Sequence, residues 1–345
     1  MNKKFFWTTI LLVSLAAAAC QFLQPAAETA TEAPAPTEAE AGAAISADTI
    51  GSLSPAAVLQ PVEDAAMCAW AADGEHFWVW GLTDVFLYDA VSFEPAASYE
   101  GDIEEAIYDL SPDGKTMAYS LDGMAISLFD IPGGSEILTI TPDYPFSDAF
   151  FSPDGARLGV ASLAAIEIVV YDVSSGEEIN RLNGFETAAP VYSARFASDG
   201  ETLVWIARAT IQPMNIESGE LMPSLSHEDF ISAYAVSLDG STAATTAAGT
   251  FEGELMPLVT LWDTETGEEL AVQANPDYFS AAAWSPDSSI LAAGTENNVL
   301  FYESPSGDVI GMQESGEISS LSFSPDGSSL LVCSMDGSAA VWQAK

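Results

Sequence analysis

The sequence contains few of the side chains on which most enzyme sites depend. It has two histidines, His76 and His227, three cysteines and only eight lysines and arginines in 345 residues. Two histidines cannot form a multi-histidine metal centre, and no His-Glu-x-x-His, Cys-x-x-Cys or EF-hand pattern occurs. No Gly-x-Ser-x-Gly nucleophile motif is present either. We therefore predict a protein that is not an enzyme and that has no cofactor and no resident metal.

Two short patterns look like catalytic motifs, but the sequence around them does not complete either motif. Gly114-Lys115-Thr116 looks like the end of a phosphate loop, yet the position of the required earlier glycine holds Asp109. The run Ser226-His227-Glu228-Asp229 contains triad residue types, but adjacent residues rarely converge in the geometry of a triad. We interpret both as turns or loops without chemistry.

The shortage of basic residues accompanies a large excess of acidic ones. Asp and Glu number 51, and the formal net charge is −43. Such a surface repels nucleic-acid phosphates, so we predict no nucleic-acid partner. It attracts cations and basic peptides, whereas solubility in a salty or acidic habitat is an equally open explanation of the acidity.

A five-residue pattern recurs along the chain. Its clearest copy is Phe323-Ser324-Pro325-Asp326-Gly327, and related stretches place aspartates at positions 73, 113, 154, 199, 239, 287 and 326. The steps between them are 40, 41, 45, 40, 48 and 39 residues, a period typical of stacked supersecondary units. Pro-Asp-Gly favours a tight turn, because Pro fixes φ and Gly accepts a positive φ.

An aliphatic–aromatic pair followed by an acidic residue comes after most copies of this turn. The sequence between the two landmarks consists of short apolar runs bounded by turn residues, which indicates β-strands. The pairs are Leu87-Tyr88-Asp89, Leu128-Phe129-Asp130, Val170-Tyr171-Asp172, Leu261-Trp262-Asp263 and Phe301-Tyr302-Glu303.

These paired landmarks resemble the WD40 family of β-propellers. Turns such as Glu265-Thr266-Gly267-Glu268 are similar to those of YVTN and quinoprotein-like propellers. The resemblance covers residues 54–345 and implies an all-β fold with seven four-stranded blades. The family's Gly-His before the inner strand is missing from every repeat, so its buried His–Ser–Asp–Trp network is not expected. The last repeat ends after its third strand. We predict that Ala56–Gln60 supplies the missing outer strand and closes the ring.

The first 52 residues have the composition of an export leader and a tether. Residues 1–19 combine Lys3 and Lys4 with a short apolar run, and the small residues before Cys20 resemble the lipid-attachment motif of bacterial lipoproteins. This predicts lipidation of Cys20 at the extracytoplasmic face of a cell-envelope membrane, with an ordinary secretory signal as the alternative. Residues 20–52, rich in Ala, Glu, Thr and Pro, predict a disordered tether.

The resemblance also indicates where partners would bind. WD40 propellers usually bind partners through the loops from outer to next inner strand and from second to third strand. Aromatic side chains beside carboxylates suit cationic or basic ligands, although loop aromatics can instead pack against neighbouring blades. We assign Phe146 and Phe279 to the core, and the insertion Gly249–Leu255 to a longer loop of blade five. The candidate binding residues are Tyr144, Phe185, His227, Phe230, Phe251 and Tyr278.

Two cysteines fall on blades that the resemblance makes neighbours. Cys68 belongs to the inner strand of blade one and Cys333 to the second strand of blade seven. A disulfide between them and two separate buried thiols are both open, because disulfide geometry is strict.

The function predicted from these features is that of a monomeric, membrane-anchored scaffold. It would bind an envelope or extracellular protein, or a basic or cationic ligand, without catalysis. The alternatives are a propeller-type enzyme, such as a lactonase, lyase or quinoprotein dehydrogenase, and a structural stalk or adhesin, since fold alone does not decide function.

Overall fold

The computed structural model describes residues 43–345 apart from 64–65, 83, 101–105, 121, 163–164, 183–192, 198, 208, 228–230 and 276. The described residues form one 3-10 turn and 28 β-strands, arranged as seven antiparallel four-stranded sheets. Each sheet is one blade of a seven-bladed β-propeller, which confirms the predicted fold class.

The strands are numbered in chain order and run from the inner to the outer strand in each blade. Blade one contains β2 (Met67–Trp70), β3 (His76–Trp80), β4 (Asp84–Asp89) and β5 (Pro95–Glu100). Blade two contains β6 (Ala106–Leu110), β7 (Thr116–Ser120), β8 (Ile126–Asp130) and β9 (Ser135–Ile140). Blade three contains β10 (Asp148–Phe151), β11 (Arg157–Ser162), β12 (Glu167–Asp172) and β13 (Glu178–Leu182).

The remaining strands follow the same order. Blade four contains β14 (Ser193–Phe196), β15 (Thr202–Ala207), β16 (Thr210–Asn215) and β17 (Leu225–Ser226). Blade five contains β18 (Ile231–Val236), β19 (Thr242–Phe251), β20 (Glu254–Asp263) and β21 (Glu269–Ala274). Blade six contains β22 (Ala281–Trp284), β23 (Ile290–Gly294), β24 (Asn298–Glu303) and β25 (Val309–Glu314). Blade seven contains β26 (Ile318–Phe323), β27 (Ser329–Ser334), β28 (Ala339–Ala344) and, as its outer strand, β1 (Leu53–Leu59).

Blade seven is built from both ends of the propeller sequence, as predicted. Strand β1 pairs antiparallel with β28, from Leu53 opposite Ala344 to Leu59 opposite Ala339, with a bulge between Pro55 and Ala57. The pairing covers the edge of β28 that would otherwise remain open to other chains. The prediction that an N-terminal strand closes the ring is therefore confirmed.

The residues just before β1 also pack on the propeller, although the sequence predicted a disordered tether up to residue 52. The Ile45 N–H donates to the Gly327 carbonyl at 2.9 Å, and a 3-10 turn spans Ile50–Ser52. Ile50 is fully buried in the core of blades six and seven, and Gly311 leaves the space that the Ile50 side chain occupies. The apolar Ile45 and Ile50 explain the earlier start of the fold. The predicted leader, Cys20 and the tether up to residue 42 lie outside the described residues.

A disulfide joins Cys68 of β2 to Cys333 of β27, with their Cα atoms 6.2 Å apart. Both cysteines are buried in the apolar cluster between blades seven and one. The disulfide and the β1–β28 pairing therefore hold the same junction of the ring, where the first and last blades meet.

Among the described residues, the core of the propeller consists of seven apolar clusters, one at each junction between neighbouring blades. The aromatic residue of the strand-three landmark lies in such a cluster in most blades, for example Tyr171 between blades two and three. Phe146 and Phe279 are 7% and 4% exposed, which confirms their assignment to the core.

The repeated Ser-Pro-Asp-Gly stretch is a hydrogen-bonded turn between the first and second strands. In blade three, the Ser152 hydroxyl donates to the Asp154 carboxylate and accepts the Arg157 N–H at 2.9 Å. Gly155 takes a φ of +70°, which an L side chain disfavours. Hydrogen bonds from Ser152 and from the Ala156 N–H lower the pKa of Asp154. One oxygen of the carboxylate, Oδ1, is thus committed to the turn. The same Ser–Asp pairing occurs at Ser111–Asp113, Ser237–Asp239, Ser285–Asp287 and Ser324–Asp326.

Candidate functional site

The antiparallel order of the strands gives the propeller two different ends. The connections from outer to next inner strand and from second to third strand lie at one end, which we call the loop end. The Ser-Pro-Asp-Gly turns and the connections from third to fourth strand lie at the other, which we call the turn end.

Exposed large apolar side chains are more frequent at the loop end. Among the described residues, six of them occupy loop-end connections or the hairpin tip of blade five, and each is 47% to 75% exposed. The described turn-end connections hold three, namely Val91, Leu221 and Leu238. Single exposed apolar residues are common on any protein, but a group at one end is typical of a binding surface. The six residues, which we call the apolar set, are Leu82, Met124, Tyr144, Leu255, Tyr278 and Met335.

The loop end is also acidic. Its described connections contain acidic side chains and no lysine or arginine. One of the acids, Asp143 beside Tyr144, is engaged by Arg181 of β13 at 2.8 Å, and Arg181 also contacts Glu167 and Glu178. The acidic residues are Glu63, Asp122, Asp143, Glu252, Asp277, Glu296, Glu317 and Asp336.

The insertion of blade five forms a long hairpin, although the sequence predicted a longer loop. Strands β19 and β20 each extend to ten residues and remain paired up to Phe251 and Glu254. The two turn residues, Glu252 and Gly253, both take positive φ values of 51° and 90°, as a tight hairpin turn requires. Leu255, at the tip, is the most exposed large apolar residue described, at 75%, and Phe251 is half-buried.

His227 belongs to a buried hydrogen-bond network, although the sequence indicated that such a network would be absent. Its Nε2 lies 2.6 Å from the Thr245 hydroxyl, which also accepts the Trp262 indole N–H at 2.7 Å. The His227 and Trp262 rings meet edge to face. Burial lowers the pKa of His227, which favours the neutral form of the ring. The sequence did contain a signal for this network. His227 lies four residues before the inner strand of blade five, and the strand-three landmark of that blade contains Trp262.

The other candidate binding residues divide into two groups. Tyr144 and Tyr278 are each 48% exposed in loop-end connections. Phe185 and Phe230 lie outside the described residues. The structure therefore places Tyr144, Tyr278 and Phe251 at the loop end, and it gives His227 a packing role at that end. Sequence reasoning missed the four aliphatic and methionine members of the apolar set, because it looked only for aromatic residues.

The central channel is a second concave region, with a cavity of about 660 Å³. Arg195 of β14 contacts the Asp148 carboxylate at 2.5 Å in the channel wall. Asp109 accepts the N–H groups of Phe151 and Leu110, and burial raises the pKa of Asp109 to about 6. Among the described residues, no group of three His, Cys, Asp or Glu side chains is arranged to hold a metal ion.

No helix in the described part of the chain has the length and apolarity needed to cross a membrane.

Comparison with known proteins agrees with the repeat pattern. The model of the "WD domain, G-beta repeat" family matches residues 308–343, which contain most of blade seven. The chain is 25% identical over 222 residues to a protein of Dictyostelium discoideum described as "Serine-threonine kinase receptor-associated protein". That alignment covers 63% of this chain and 72% of the relative. Propellers of the matched repeat type generally act as protein-interaction scaffolds.

Proposed function

We propose that this propeller is a non-catalytic scaffold that binds a basic partner protein through its loop end. The observation that carries the proposal is the position of the apolar set within an acidic surface. Fully buried apolar anchors supply most of the affinity of protein interfaces, whereas rim charges steer the partner and select it. A partner with basic residues around an apolar patch would match both features.

The blade-five hairpin has a specific part in this proposal. Its two paired strands are each ten residues long, at least four more than the second and third strands of the other blades, and they hold Leu255 on a rigid support. A site on paired strands loses less conformational entropy on binding than one on a free loop. The hairpin tip would therefore enter a pocket of the partner.

The binding proposal predicts that polar substitution of four members of the apolar set weakens partner capture. We expect the variant L82S/M124S/L255S/M335S to lose about tenfold or more in affinity, because truncating one well-packed interface anchor alone costs about 2 kcal/mol. The measurement is crosslinking and affinity capture from the source cells, followed by titration of the identified partner. Since all four residues are exposed, the melting temperature should be unchanged.

The matched control substitutes exposed apolar residues at the turn end. V91S/L221S removes comparable side chains from Val91 and Leu221 and should leave partner affinity unchanged. Equal losses of affinity in the two variants, or wild-type affinity in both, would contradict a loop-end interface. Raising the salt concentration should slow association with the wild type, because surface charge attraction is screened.

We also propose that lipid at Cys20 anchors the scaffold to the extracytoplasmic face of a cell-envelope membrane. The support is the sequence of the leader, with basic residues, a short apolar run and small residues before Cys20. A lipid anchor would hold the propeller at the membrane without a spanning helix.

Cys20→Ser tests this anchoring. We expect the wild-type protein to sediment with membranes and to enter the detergent phase, and the C20S protein to appear in the soluble fraction. Mass spectrometry of the N-terminal peptide should find lipid on the wild type alone. Membrane association that survives the substitution unchanged would refute the lipid anchor.

A further inference from the structure

Between blades four and five, near the turn end, lies a largely apolar cavity of about 280 Å³ that is open to solvent on one side. Its walls come from the second, third and fourth strands of blade four, with the connection before the fourth, and from the first and second strands of blade five. Carboxylates of the two neighbouring turns stand at its mouth. The residues on which the argument depends are Val204, Ile211, Met222, Val236, Ala243 and Asp239.

The cavity exists because blade five has a small residue where the other blades have a large one. In every blade, one residue of the second strand pairs with the landmark position of the third strand; in blade five this is Ala243, opposite Trp262. The equivalent residues all lie in the cluster shared with the preceding blade, and all are at most 1% exposed. They are Phe77, Met117, Leu158, Leu203, Leu291 and Leu330.

The large landmark ring of blade five does not fill the space over Ala243. The Trp262 indole donates to Thr245 and meets the His227 ring, which draws it toward the loop end. Trp262 accordingly does not line the cavity. The apolar atoms that line this space lack protein partners on one side, so they are free to contact an apolar ligand. Apolar cavities of about 150 Å³ hold a benzene molecule in other proteins.

The mouth of the cavity is negatively charged. Asp239 is exposed there, and hydrogen bonds from Ser237 and Ser241 lower its pKa. Asp199 stands on the blade-four side, where Arg157 lies close to its turn and offsets part of its charge. Asp239 is therefore the stronger attraction for a cation at the mouth.

We propose that this cavity is a binding site for a small amphiphilic amine. Its apolar chain would lie against Val204, Ile211 and Val236, and its ammonium group would meet the Asp239 carboxylate. The site is at the opposite end of the propeller from the apolar set, so it does not depend on the proposed scaffold function.

The test uses hexylamine as the probe and methionine methyl groups as reporters. In protein labelled at the methionine methyl carbons, we expect hexylamine to shift the Met222 resonance saturably, with millimolar affinity. Met124 and Met335, at the loop end, should not respond. Hexanoate, which places a negative charge at the mouth, should bind more weakly than hexylamine by a factor of about five or more. Absence of a saturable shift at Met222, or equal affinity for hexylamine and hexanoate, would overturn the proposal.

Two variants test separately how much the cavity and the Asp239 charge contribute to hexylamine binding. Ala243→Leu gives blade five the side chain of four other blades at that position, and it should raise the melting temperature and weaken hexylamine binding about tenfold or more. Asp239→Asn keeps the cavity and should bind hexylamine about threefold more weakly, with hexanol binding unchanged. Hexylamine binding that is equally strong in A243L and wild type would place the probe elsewhere and overturn the proposal, as would unchanged binding in D239N.

Discussion

Removing the residues before Gln60 is expected to unfold the propeller or to destabilise it by about 5 kcal/mol or more. The truncation takes away β1, the outer strand of blade seven, together with the buried side chains of Ile45, Ile50 and Leu53. Burying one such side chain contributes about 1.5–3 kcal/mol. The truncation also exposes the edge of β28 along its whole length, and an exposed edge can pair with a strand of another molecule.

The matched control is a shorter truncation that begins at Ala43. It removes only residues that precede the described fold, so urea denaturation should give the same midpoint and slope as for the full chain. The longer truncation should show a lower midpoint and concentration-dependent aggregation. If both truncated proteins had the stability of the full chain, the β1–β28 pairing would contribute nothing, and closure of the ring would rest on other contacts.

The architecture was predictable from sequence because it depends on periodic features. Seven registered turns fix the number of blades, and a last repeat that stops after its third strand requires a fourth from elsewhere. Strand β1 could be assigned by this reasoning alone. The start of the fold could not, because two isoleucines in an Ala-rich segment give no periodic signal, and only the space beside Gly311 makes Ile50 part of the core.

The candidate site was less predictable, since it depends on contacts between different blades. The sequence marked His227 as a possible binding residue, but its partner Thr245 lies on a strand whose register is set by the blade-five hairpin. Exposure of Leu82 and Met335 also follows from the loops that carry them and not from their residue type. The inter-blade cavity would require an alignment of all seven second strands, in which Ala243 is the exception.

Loss of the Cys68–Cys333 disulfide is expected to destabilise the propeller by about 2–4 kcal/mol. The bridge closes a loop with a sequence separation of 265 residues, so its removal frees a long denatured chain. Because the β1–β28 pairing still holds the same junction, we expect the C68A/C333A variant to fold and to keep the propeller structure. Urea denaturation of the two proteins, each with and without dithiothreitol, measures the effect.

The urea m-value, which is the slope of the unfolding free energy against urea concentration, shows how the disulfide stabilises the propeller. If the bridge acts on the unfolded chain, its removal exposes more surface on unfolding, and the urea m-value of C68A/C333A should exceed that of the wild type. Dithiothreitol should move the wild-type midpoint to that of the variant and leave the variant itself unchanged. A lower midpoint with the same m-value would instead trace the loss to packing around Cys68 and Cys333, both of which are buried. Equal midpoints in all four measurements would show that the β1–β28 pairing alone closes the ring.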